Sequence, residues 1–300
     1  MQIKNHISVK NRLIYFIIFS VVLLIAKSDH YKTLEYQYKV KKYDALRVYF
    51  DCSIGNLIMK PSKNRYIING NIDYNSTLAQ PIVELSNKNN ISRLDLKVKP
   101  NKIIGNDNTK SLINSFIEDG NDNYIIDFEM PTKISTDMNL NFGLGKVDLD
   151  FSGLRISQLL MKCGLSDVTL INTKSNIINC DKVSISTGVS DFNSRGLGNF
   201  NASNYLFDVG MGSAEIDMSG SANRNLNLKI DVTIGSLELK LPQNKNIELI
   251  INKNMLSSVN VKGLISSGEG KYTSKDTQKR WATMKVEVSV GIGSVDISAD

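Results

Sequence analysis

The side chains that most often carry catalysis are scarce in this sequence. Its two histidines, His6 and His30, both stand near the N-terminus, so Ser–His–Asp or Cys–His chemistry finds no imidazole in the body of the chain, and nor does a histidine-bearing zinc site. Cys52, Cys163 and Cys180 are an odd, scattered set that fits neither a disulfide framework nor a thiolate metal cluster. Carboxylates remain. Asp148, Glu215, Glu238 and Asp296 recur at one position of a repeat, with Thr169, Asn193 and the apolar Ile58 at its equivalents. If the units holding Glu215 and Glu238 stack directly, strand spacing sets these carboxylates about 4.8 Å apart, near the roughly 5 Å of a retaining glycosidase pair. The column also reads as a solvated face, since outward positions of a soluble strand are polar and no aromatic platform for sugar accompanies it. A weak divalent-cation site lies between these readings. The solvated reading is adopted: no catalytic, cofactor or metal residue is assigned, and the protein is read as non-enzymatic.

The repeat itself is marked by glycine. Ser53, Gly143, Gly164, Gly188, Gly210, Thr233 and Gly291 are taken as position zero, and the acidic column lies five residues after it. Apolar residues stand five before zero (Val48, Met138, Leu159, Val183, Tyr205, Leu228, Val286) and three before it (Phe50, Leu140, Met161, Ile185, Phe207, Ile230, Val288). They return one after zero (Ile54, Leu144, Leu165, Val189, Met211, Ile234, Ile292) and four after it (Leu57, Val147, Val168, Phe192, Ala214, Leu237, Val295). Period-two alternation in the first half predicts a strand with one buried face. The three-residue step that follows is a slip, occupied by Gly55, Gly145, Gly212, Gly235 and Gly293, with Ser166 and Ser190 as exceptions. The chain is expected to bend there with its apolar side kept inward.

From Gly143 to Thr233 the units are 21, 24, 22 and 23 residues long. Each has room for two strands and two turns, and stacked neighbours would bury a continuous aliphatic ladder. The expected fold is all-β: a stacked-rung, β-helix-like solenoid over residues 29–300 with about 22 residues per rung and irregular strand-rich insertions near 60–140 and 242–285. Short strands are expected at Tyr66–Ile68, Ile82–Leu85, Leu94–Val98, Tyr124–Phe128 and Ile247–Ile251, and exposed loops at Asn101–Gly120 and Gly268–Gln278. Cys52 and Cys163 fall one before zero, where other rungs carry Phe142, Val209, Val232 and Val290 and only Thr187 is polar, so they are read as buried reduced thiols. Cys180 falls in a turn and is expected to be exposed.

The N-terminus gives the address. Met1–Arg12 is basic, and Leu13–Ala26 is a fourteen-residue hydrophobic run broken only by Ser20. Small residues at Ala26 and Ser28 then suit cleavage after Ser28. Residues 1–28 are therefore a signal peptide or, if uncleaved, an anchor through 13–26. Lys4, Lys10, Arg12 and Lys27 against Asp29 account for half of the +6 formal charge. The remainder is no nucleic-acid footprint, so that partner class is set aside.

The stretch Phe142-Gly-Leu-Gly-Lys-Val-Asp-Leu-Asp-Phe-Ser-Gly-Leu154, followed by Gly164-Leu-Ser-Asp-Val-Thr-Leu170, resembles the toast-rack or putative-adhesin group of bacterial envelope proteins. Ser53-Ile-Gly-Asn-Leu57 and Val286-Glu-Val-Ser-Val-Gly-Ile-Gly-Ser-Val-Asp-Ile297 are similar to that group's first and last repeats. The resemblance implies stacked β rungs, an extracytoplasmic or membrane-tethered setting and an adhesin label, and it supplies no catalytic residues. The departures at Ser166, Ser190 and Thr233 leave the regularity of the middle rungs open. The expected function is that of an exported, non-catalytic cell-envelope module (periplasmic, cell-surface or secreted), adhesin-like or structural, partnered by an envelope protein or a surface glycan. The membrane enters only through an uncleaved N-terminal segment. The alternative is a polysaccharide-acting β-helix enzyme using the acidic column.

Overall fold

The computed structural model describes residues 30–77, 79–100, 124–221, 223–253 and 255–299. The signal or anchor segment and the expected Asn101–Gly120 loop lie outside them. Among the described residues no helix is long and apolar enough to cross a membrane.

The glycine repeat forms the body of the molecule. Its seven units are the strands β2 (Ala45–Pro61), β7 (Ser135–Asp150), β8 (Arg155–Ile171), β9 (Val183–Arg195), β10 (Asn204–Asp217), β11 (Leu226–Leu241) and β16 (Thr283–Ala299). They pair in parallel in that order, zero beside zero, as one uninterrupted run. The first and last motifs thus stack directly on the regular ones despite their distance in sequence. Each unit is one long strand that continues through the glycine motif, and not the two separate strands expected.

The phase of that strand changes at zero. Residues at minus one and plus one have partners in every ladder, whereas the zero residue between them has none, as in Val209↔Val232 and Met211↔Ile234. The unpaired residue at zero stands in every strand, so the rungs keep register while each chain exchanges its faces across it. Burial follows this rule: minus five, minus three and minus one are inside, then plus four and plus six. From β8 to β16 the column one after zero is therefore turned outward, contrary to the inward placement expected from its aliphatic character, whereas Ile54 and Leu144 still pack partly against the core. Leu165 is 54%, Val189 46%, Met211 48%, Ile234 40% and Ile292 46% exposed.

Glycine at plus two is required by geometry. Gly235 has φ +143°, and a Cβ there would lie 1.8 Å from the Gly212 carbonyl oxygen of the preceding rung. Where two serines face each other in place of glycines the ladder is interrupted: β8 and β9 pair at Leu165↔Val189 and resume only at Val168↔Phe192, whereas Ser166 still pairs with Gly145 and Ser190 with Gly212. The middle of the stack is thus its irregular part, and the Thr187 and Ser190 hydroxyls there are buried without a hydrogen-bond partner.

The two halves of each strand fold over a shared core. Phe192, in the second half of β9, meets Phe207, in the first half of β10, with ring centroids 5.9 Å apart. Buried aliphatic and aromatic side chains form one cluster along the whole stack. The turns joining β8, β9 and β10 are tied by buried asparagines. Asn176 Nδ2 donates to the carbonyls of Ile156 (2.7 Å) and Phe200 (3.0 Å), and Asn199 Nδ2 donates to Asn172 O (2.8 Å). These bonds occupy carbonyls that a buried turn would otherwise leave unpaired.

The remaining strands finish the two ends. At one end are β1 (Tyr31–Lys39), β3 (Ile67–Asn75), β4 (Ala79–Lys88), β5 (Ile91–Pro100) and β6 (Tyr124–Met130). β5 pairs with the first half of β2 and β6 with its second half; β3 and then β1 extend outward from β6. β4 and β5 form a hairpin whose two turn residues, Asn89 and Asn90, have φ of 51° and 59°, as a type I′ turn demands. At the other end β12 (Asn246–Lys253) and β13 (Ser257–Lys262) pair with the two halves of β16. There β14 (Leu264–Gly268) and β15 (Lys271–Ser274) form a hairpin that lies on β12, so Gly268–Gln278 is partly strand and not only loop.

Candidate functional site

The acidic column is outward, and its members are engaged by neighbouring lysines and asparagines. Glu215 and Glu238 are direct register partners on β10 and β11, as stacked rungs require. Lys240 joins them, with Nζ 2.6 Å from Glu215 Oε1 and 3.4 Å from Glu238 Oε1. Asn193 also donates to Glu215 Oε2 at 3.2 Å. The hydrogen bond to Glu215, then that to Glu238, raises the Lys240 pKa. A retaining pair keeps its two carboxyls free to face the sugar between them; here both are engaged by the one Lys240 ammonium. The three side chains are 37–57% exposed, so this is a solvated ion-pair net of small energetic worth. Elsewhere in the column Lys146 pairs with Asp148 at 3.2 Å, and Asn260 donates to Asp296 Oδ1 at 2.9 Å.

The thiols are in the core. Cys52 and Cys163 are inward, as their column predicts, and all three cysteines are free and buried. Cys180, expected in an exposed turn, has no exposure. Its backbone bridges to Ala202, and its Sγ faces the Lys182 carbonyl at 3.5 Å. Burial pushes the Cys163 thiol up to about 11 against a small opposing effect of the neighbouring Ser166 hydroxyl, and the Cys180 thiol up to about 12. Cys52 is driven up mainly by burial, with Asp51 adding. Such thiols are small hydrophobes and poor nucleophiles. Among the described residues no group of His, Cys, Asp and Glu is assembled as a metal site.

A concave polar surface occurs outside every motif of the repeat. The outer face of β1, β3, β6 and the second half of β2 forms a groove of about 560 Å³. Alternation along these strands points every second side chain into it. Their registers align those side chains in two rows: Gln37, Asn69, Glu129 and Lys60, then Glu35, Asn71 and Asp127. Gln37 Nε2 donates to Asn69 Oδ1 at 3.2 Å, and Asn69 Nδ2 donates to Glu129 Oε2 at 2.9 Å. Lys60 Nζ lies 2.7 Å from Asp127 Oδ2, while Asp127 Oδ1 is covered and without a hydrogen-bond partner. Tyr36 and Gly70 complete the wall, where Gly70 leaves room for the Phe128 ring that a Cβ would meet at 2.6 Å. Three carboxylates face one ammonium, so the groove suits neutral or cationic groups rich in hydroxyls or amines. Its residues come from four strands joined by long-range pairing, and no local pattern in the sequence reveals them.

The family described as the N-terminal domain of toast_rack, DUF2154, matches residues 26–193. No curated protein matches the sequence. Among solved structures, the chain is similar to a "putative cell adhesion protein" from Clostridium sporogenes at 15% identity and a TM-score of 0.47, covering 90% of this chain and all of that one. It is also similar to a "putative adhesin" from Bacteroides fragilis at 16% identity and a TM-score of 0.36, covering 89% of this chain and 97% of that one.

Proposed function

The chain belongs to the toast_rack family, and from that premise we propose that it is an exported, non-catalytic binding module of the cell envelope whose end groove takes a surface glycan. Family membership supports the stacked-rung scaffold. The basic start and the Leu13–Ala26 run support export, with that run either cleaved with the leader or retained as an anchor. The observation that carries the binding reading is the groove over β1, β3 and β6. Its amide and carboxylate side chains are set on a rigid sheet at strand spacing and already joined in a partly satisfied network. Sugar hydroxyls donate to carboxylates and exchange both kinds of bond with amides, and an ordered sheet spends little entropy in presenting them.

The test is binding of the full chain to an array holding neutral, amine-bearing and uronate-rich glycans. Neutral or amine-bearing members are expected to be retained over uronate-rich ones. Asn69→Ala with Glu129→Ala removes two adjacent contacts, each worth about 1–1.5 kcal/mol, so retention should weaken about 30- to 150-fold. Equal retention by wild type and double variant, or preference for uronates, contradicts the groove. Glycan cleavage that disappears in a Glu215→Gln, Glu238→Gln variant overturns the non-catalytic reading instead.

A further inference from the structure

The outward column one residue after zero has the wrong chemistry for a water-facing surface. Five after zero, the other outward column of the same seven units is polar in all but Ile58. One after zero, every unit is aliphatic, though Leu165, Val189, Met211, Ile234 and Ile292 are 40–54% exposed. The two columns share one chain and one repeat, so neither composition nor strand propensity separates them. The aliphatic one forms a continuous ridge, because its members are register partners from Ile54↔Leu144 to Ile234↔Ile292. Its exposed members, Leu165 to Ile292, span four steps of about 4.8 Å, roughly 19 Å, while Ile54 and Leu144 at its end pack partly against the core. An exposed apolar strip of this extent marks a contact surface.

We propose that this ridge is a homotypic docking surface on which two copies of the chain pack in parallel, each rung beside the same rung of its partner. A row of side chains at strand spacing meshes along its whole length only with a surface of the same period, and the ridge itself supplies one. The flanking charges select the parallel arrangement. A two-fold axis along the stack sets the residue two before zero of one copy against the residue three after zero of the other. In β8 these are Lys162 and Asp167, either side of Leu165, and neither makes an ion pair with another described residue. The parallel dimer pairs Lys162 with the partner's Asp167 twice, and between the positions two before and three after zero no rung opposes two like charges. An antiparallel dimer centred on β9 would set Lys162 against Asp208 but also Asp191 against its own copy, a like-charge contact that the parallel dimer lacks beside the ridge. The ridge is narrow, which places the interface in the small, transient class with a dissociation constant on the order of micromolar.

The experiment uses the full chain with Val189→Cys and, separately, Ile234→Cys under mild oxidation, with wild type as control because its own three thiols are buried. Parallel packing brings each position to its own copy, so both variants form disulfide dimers, while Glu238→Cys, outward but off the ridge, does not. In sedimentation, wild-type mass rises from monomer to dimer with concentration. Leu165→Glu with Met211→Glu weakens association at least tenfold, and Lys162→Asp weakens it in a way that adding Asp167→Lys restores. Circular dichroism of each variant confirms that the fold is retained. Crosslinking at Val189→Cys but not Ile234→Cys overturns the parallel arrangement. A monomer at all concentrations, association unchanged in the Leu165→Glu, Met211→Glu variant, or flotation with phosphatidylcholine vesicles through the ridge in place of dimerisation overturns the proposal.

Discussion

Replacing Gly235 with alanine should cost far more than the same change at Gly268, although both glycines have strongly positive φ, +143° and +152°. At Gly268 nothing lies within 4 Å of the added carbon, so the loss is the conformational penalty alone, about 1–2 kcal/mol. At Gly235 the new Cβ would lie 1.8 Å from Gly212 O and 2.9 Å from its carbonyl carbon. Ordinary carbon–oxygen contacts begin near roughly 3.3 Å, so β10 and β11 must part by more than about 1 Å at the bend. That carries the flanking ladder bonds past hydrogen-bonding distance. Two such bonds at about 1 kcal/mol each bring the expected loss to about 3–4 kcal/mol. Urea unfolding followed by circular dichroism should separate the two variants by about 2 kcal/mol at equal slope. Equal losses, or a cost below about 1 kcal/mol at Gly235, would refute the close approach of the rungs.

Buried thiols also make stability depend on alkali. The folded pKa values of Cys163 and Cys180, about 11 and 12, lie above the ordinary 9.0, and burial raises Tyr124 and Tyr205 too. A raised folded pKa gives stability that is whole below the unfolded pKa and is lost as pH climbs toward the folded one. Urea midpoints should therefore hold to about pH 8.5 and then fall, at about 1.4 kcal/mol per pH unit for each titrating group; stability that rises above pH 9 contradicts this. Thr187→Val should stabilise by about 1 kcal/mol, since it replaces a buried, unpartnered hydroxyl with the valine found one before zero in three other rungs. A lowered unfolding midpoint would show that the hydroxyl has a partner.

The stacking was legible in the sequence wherever hydrophobicity and burial agree. The columns before zero and the one four after are inside, Glu215 does stand beside Glu238, and the serines at 166 and 190 do mark the irregular rungs. The phase change was not legible, because the unpaired residue at zero turns Leu165 and Met211 outward while their side chains still look like core. Cys180 was misplaced for a related reason: asparagine-rich turns usually face water, but Asn176 and Asn199 supply the bonds that allow this one to be covered. The groove escaped because Gln37, Asn69 and Glu129 become neighbours only through pairing across 32 and 60 residues. Such pairing leaves no periodic trace in any one segment.

The ridge and the core of the stack depend on the exchange of faces at zero, and thiol accessibility at two neighbouring positions of β10 measures it directly. Met211→Cys and Val209→Cys stand two residues apart, on the same face of an unbroken strand but on opposite faces if the chain exchanges faces at the unpaired Gly210. At sub-micromolar protein and neutral pH, Met211→Cys should react with a maleimide at nearly the rate of a free thiol, while Val209→Cys remains as protected as the native cysteines. Equal protection, or equal reactivity, at the two positions would mean that the strand keeps its phase and that the ridge and the core are wrongly assigned.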